Sequence, residues 1–212
     1  MVWILRRPTS SAERNTIMRK PIVFCLAAVA AILAGCVVTS VCPYYTQQDL
    51  VFEPAILGNW TSVNTPGEVW RFEQRGELAY RFTLIEPSKA TVMEAHVFKL
   101  QGQSFLDISS LDRDYHVIPA HYLLRVSQFT PTLRFTELNE MWLKDLLASH
   151  PNAVRHHFVQ TSDRSEDSRV VLTAETGELQ KFLIAHLSSK QAWKMCVELS
   201  RDSTVAQTAQ PK

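Results

Sequence analysis

The sequence predicts a mainly β fold with two helices (α+β): an antiparallel meander closing into a barrel or a strongly curled sheet, with the helices in the C-terminal half. Three observations carry this expectation. Turn residues recur at intervals of roughly 10–14 residues: Pro66-Gly67, Arg75-Gly76, Pro87-Ser88, Gln101-Gly102, Asp112-Arg113-Asp114 and Thr130-Pro131. Between them apolar side chains alternate with period two, the mark of half-buried strands. After Asn139 that period gives way to helical spacing.

The elements follow in order. Trp70 and Phe72 share one strand face, as do Leu78, Tyr80, Phe82 and Leu84. Tyr122, Leu124 and Val126 form a later run, and Leu133 and Phe135 the run after the next turn. About seven such runs in series suggest closure, which also hides the edge strands. Asn139 is placed to cap a helix from Glu140 to about Ser149, with Glu140 favourable in its first turn. Trp142, Leu143, Leu146 and Leu147 make its apolar stripe, and Pro151 ends it. Residues 154–160 and 169–174 read as a hairpin around a polar loop. Thr176 is expected to cap a second helix bearing Leu179, Phe182, Leu183 and Leu187. Ala192 to Leu199 reads as a closing strand.

Composition excludes several classes. Of 212 residues, 46% are hydrophobic and 20% charged, a globular balance rather than a disordered one. The formal charge of +1 offers no basic field for nucleic acid. The four cysteines are too few for a disulfide scaffold.

The N-terminus reads as a leader. Met18-Arg19-Lys20 is a short basic start, and the true start codon is open between Met1 and Met18. Pro21 to Ala34 is an apolar run of 14 residues, short of the roughly 20 a spanning helix needs. It ends in Leu33-Ala34-Gly35-Cys36. This tetrapeptide closely resembles the bacterial lipobox. The resemblance implies cleavage between Gly35 and Cys36, and lipidation of Cys36 by acyl chains of the palmitate kind. Val37 rather than Asp after the cysteine implies outer-membrane sorting. The implied organisation is a signal peptide over 1–35, a lipidated Cys36 with a tether over 36–50, a barrel domain over 51–201 and a disordered tail over 202–212. Removing the leader takes away Arg6, Arg7, Arg14, Arg19 and Lys20 against Glu13 alone, so the mature chain carries 17 basic and 20 acidic side chains. Cys42 and Cys196 then remain. They either pair in an oxidising envelope or stay apart, Cys42 in the tether and Cys196 packed in a strand; spacing does not decide.

Leu57-Gly58-Asn59-Trp60 opens the first strand. Its Gly-x-Trp resembles the first motif of lipocalins and the wider calycin barrels. The resemblance implies that Trp60 closes one end of the barrel, although an ordinary core aromatic fits the residue equally well. The layout is similar to that of uncharacterised bacterial lipoproteins that join a lipobox to a lipocalin-like domain.

No reaction emerges from the motifs. The seven histidines include no His-Glu-x-x-His pair, and His156-His157 point to opposite faces of a strand. There is no Gly-x-Ser-x-Gly elbow and no phosphate loop. Asp107, Asp112 and Asp114 lack calcium-loop spacing and fit a turn better than a metal site. The expectation is a non-enzymatic envelope lipoprotein, held on the membrane through Cys36, needing no cofactor or metal. Its barrel would bind a small hydrophobic ligand or a protein partner, and no nucleic acid. A lipid- or lipoprotein-handling chaperone is the alternative. An enzyme, with residues such as His121 and Asp107 converging in the cup, ranks third.

Overall fold

The protein is described here by a computed structural model covering residues 37–62, 64–111, 120–160 and 168–202. The expected leader with Met18, Gly35 and Cys36 lies outside the described residues, as do Asp112, Asp114 and the tail from 203.

Eight strands close an antiparallel barrel. They are β2 (Gly58–Thr61), β3 (Val69–Arg75), β4 (Ala79–Glu86), β5 (Lys89–Leu100), β6 (Gln103–Ser110), β7 (His121–Gln128), β8 (Thr132–Leu138) and β11 (Trp193–Arg201). Consecutive strands pair as a meander up to β8; β11 then pairs with β8 along its length and with β2 at Ser200 and Arg201. Closure leaves no barrel edge unpaired. The mainly β fold with two helices in the C-terminal half is therefore the observed one, and an eight-stranded antiparallel barrel is compatible with a lipocalin-like fold.

Period-two alternation sends one set of side chains inward. Trp70, Phe72, Tyr80, Phe82, Leu106, Leu133 and Phe135 form the inner core with Trp60 and Leu199. Phe72 and Phe82 sit opposite each other in the β3–β4 ladder and stack, with centroids 4.7 Å apart. On β5 and β6 the other face is buried too. Phe98, Leu100 and Phe105 point outward, into a second core shared with the helices. That is why Phe105 to Ile108 is buried without a break.

The second core holds α1 (Glu140–Ser149), α2 (Thr176–His186) and the β9–β10 hairpin (His156–Gln160, Ser168–Leu172) against the barrel wall. Asn139 caps α1 as expected, accepting from the Met141 and Trp142 amides. The cap of α2 differs. Thr176 is the first helical residue and Glu175 precedes it without a side-chain cap bond. The Thr176 hydroxyl donates instead to the Pro43 carbonyl at 2.8 Å, so a tertiary partner takes the group that a cap would use.

Residues 37–50, expected as a tether, are packed down as a strap. Tyr44 and Ser40 are wholly buried, and β1 (Thr39–Ser40) pairs with β7 on one side and, in parallel, with β10 on the other. Leu50 bridges to Phe98, and the Lys99 amide donates to the Asp49 carbonyl. From above, Gln180 of α2 donates to the Tyr44 carbonyl and to Asp49 Oδ2. No alternation announces this strap, because it is buried by two partners that are remote in sequence.

Candidate functional site: an apolar cavity inside the barrel

β7 divides its outer edge between two partners. It pairs with β8 from Leu124 onward and with β1 at Tyr122 and His121. The wall thus forks where β1 and β8 separate. A cavity of about 50 Å³ lies inside the barrel, lined by Trp70, Phe82, Leu84, Met93, Ile108, Tyr122, Leu124, Glu137 and Cys196 of the inner face together with Val37, ahead of β1. Almost all of it is apolar, and most of the barrel interior beside it is filled by side chains.

Two polar groups mark the cavity. Glu137 continues the inward face of Leu133 and Phe135, and Lys194 Nζ sits 3.0 Å from its carboxylate. Cys196 lies at a bulge, where β11 shifts register against β8 between Met195 and Val197. The bulge brings two successive side chains, Cys196 and Val197, to the inner core. Burial pushes the Cys196 thiol well above its ordinary range, and the Glu137 carboxylate, which accepts its hydrogen bond, adds to the shift. Nearby Glu68 receives a hydrogen bond from the Trp70 indole, and burial raises its carboxyl from the usual range. An uncharged apolar group fits such a cavity.

A second polar cluster sits on the outer face of the wall, under the strap. His121 and Asp107 do come together, Nδ1 to Oδ1 at 2.7 Å. They lie outside the barrel, however, since Phe105, Asp107 and Leu123 face away from the inner core. The other Asp107 oxygen accepts from the Tyr44 amide at 3.1 Å. Asp107 is fully buried, and its bonds fasten the strap. Tyr45 Oη shares a 3.1 Å hydrogen bond with His96 Nδ1. Burial first, then the charges of Asp107 and Glu94, keeps the Tyr45 proton on. Burial pulls His96 below the ordinary histidine range. Orientation of a histidine by a carboxylate is one part of a hydrolytic site. Here the same carboxylate serves the backbone of residue 44.

The chain matches no protein-family profile, no curated protein and no solved structure. Its geometry therefore stands alone, and the placement of each expected residue matters more. Trp60 is completely buried, its indole donating to the Ile56 carbonyl at 2.7 Å. The Arg201 guanidinium lies over its ring, 4.4 Å from the centroid. Arg201 also donates to the Leu57 and Ala55 carbonyls, tying β11 to the 3-10 turn Pro54–Ile56. Sequence reasoning passed over Arg201, whose place beside Trp60 depends on a pairing between the two ends of the barrel sequence.

Cys42 and Cys196 are free thiols and do not pair. Cys42 packs with the outer core and Cys196 with the inner one, so the barrel wall separates them. Among the described residues no group of three or more His, Cys, Asp or Glu side chains is placed to hold a metal ion. No described helix is long and apolar enough to cross a membrane.

Proposed function

We propose that this chain is a non-enzymatic lipoprotein of the bacterial cell envelope, akin to lipocalin-like barrels, anchored in the outer membrane through acyl chains on Cys36 and facing the periplasm. Its barrel takes a small hydrophobic group in its interior. The cavity beside Val37 carries the ligand part of this reading, because it is apolar and has room for only a few atoms. The Leu33-Ala34-Gly35-Cys36 sequence supports the anchor.

The test uses the full chain. Extracted from bacterial membranes, it has the mass of residues 36–212 plus acyl chains, and Cys36→Ala loses them. In that acyl-free variant xenon, a neutral apolar probe of one atom, raises the unfolding free energy by about 0.4 kcal/mol when its concentration equals its dissociation constant, and by more above it. An unlipidated wild-type mass overturns the anchor. Unfolding unmoved by xenon overturns the cavity as a binding site.

A further inference from the structure

The cavity lies beside the one residue that the anchor modifies. Val37 lines it, while Val38 belongs to the outer core and Ser40 is buried, in the alternation of a wall strand. Successive Cα atoms are about 3.8 Å apart, so Cys36 is bonded to a residue that lines the cavity. A group on Cys36 Sγ is thereby held next to the cavity by covalent attachment, at a local concentration that a free ligand reaches only at high dose.

We propose that the occupant of this cavity is an acyl chain carried by Cys36 of the same molecule. The inference rests on the lipoprotein reading and gives the proposed ligand site its partner. The chemistry matches on each point the structure offers. The lining of Trp70, Leu84, Met93, Ile108 and Leu124 suits methylenes. A cavity of about 150 Å³ admits benzene. One of about 50 Å³ therefore takes a short run of methylenes, not a whole chain. Met93 is unbranched and adaptable, so it is the lining residue that yields as the chain settles. Several acyl chains on one cysteine leave the anchor working when one of them is withdrawn, because two chains already give stable attachment. The lipid then fills part of the barrel interior as well as serving as an anchor.

The experiment feeds bacteria making the full chain a fatty acid with a diazirine in its tail. The protein is extracted in detergent, washed free of phospholipid and irradiated. Peptide mapping then locates the crosslinks, and intact mass counts the lipid. The expected result is a crosslink from the Cys36 lipid to the strand peptides bearing Met93, Ile108 or Leu124, with no additional lipid mass. Val37→Trp fills the rim and abolishes that crosslink while the acyl mass stays. Acylated protein with no crosslink on those strands overturns the inference and leaves the anchor standing. Crosslinks that add the mass of a separate phospholipid also overturn it, since the occupant is then a bilayer lipid. A chain without acyl mass overturns the lipoprotein reading beneath it.

Discussion

Arg201 shows how much one side chain does for closure. It covers Trp60, bonds the Leu57 and Ala55 carbonyls, and sits where a Cβ on Gly58 would approach its Nη1 to 2.8 Å. Gly58 also has φ +113°, where an L side chain is strained. Arg201→Ala is expected to cost about 2 kcal/mol, combining a cation–π contact with charged hydrogen bonds. Arg201→Lys recovers only part of that, because lysine lacks the planar fork. Urea unfolding of the two variants measures both. Gly58→Ala adds backbone strain to the collision and should cost about 1–3 kcal/mol in the same assay.

A second prediction concerns pH. Burial, ahead of its charged neighbours, holds His96 below its ordinary pKa of 6.5; Glu94 and Asp107 pull the other way, and His121 and Arg75 add to the depression. The unfolded chain takes up this proton first, so it binds more protons than the folded state as pH drops below about 6.5. Stability from His96 is fully present above that value and is lost as pH falls towards the folded pKa. The wild type should therefore lose unfolding free energy between pH 7 and pH 5 more steeply than His96→Gln. Equal slopes in chemical denaturation would refute the assignment.

At the scale of elements, the same kind of residue meets two fates. Asn139 precedes α1 and caps it, so Asn139→Ala should cost about 1 kcal/mol. Thr176 begins α2 and serves the strap through Pro43. Thr176→Ala should leave the helix content unchanged by circular dichroism and raise amide exchange in residues 38–45. The strands and α1 were legible because alternation and helical spacing are local. The α2 cap was not, since a threonine ahead of an apolar stripe looks the same whether its hydroxyl turns back to its own helix or out to residue 43. The strap was invisible for a related reason: Val38, Tyr44 and Leu50 follow no single period, and their partners lie on β5, β7 and α2. The polar site under it was half legible. His121 and Asp107 were picked out as candidates to converge, and they do, but alternation on β6 puts Asp107 outward beside Phe105 and fixes the pair as a clasp.

At the scale of the whole molecule, the barrel wall has two sides, and the cysteines report on each. Closure depends on β11 reaching back to β2, so the wall opens only when this long-range pairing is lost. Cys196 sits on the inner side with its thiol pKa driven up by burial and by Glu137, while Cys42 lies in the outer strap. The reactive species is the thiolate, so the native barrel should suppress Cys196 alkylation twice, by occlusion and by proton retention. In a Cys42→Ser chain without the other reactive thiols, Cys196 should resist iodoacetamide at pH 8 in buffer and react fully in urea. Its labelling rate as urea rises should follow the global unfolding curve, because a closed ring offers no frayed edge through which one strand can open alone. Labelling that runs well ahead of that curve would locate a separate opening beside the cavity that Cys196 lines, which would then be a gate and not a fixed pocket.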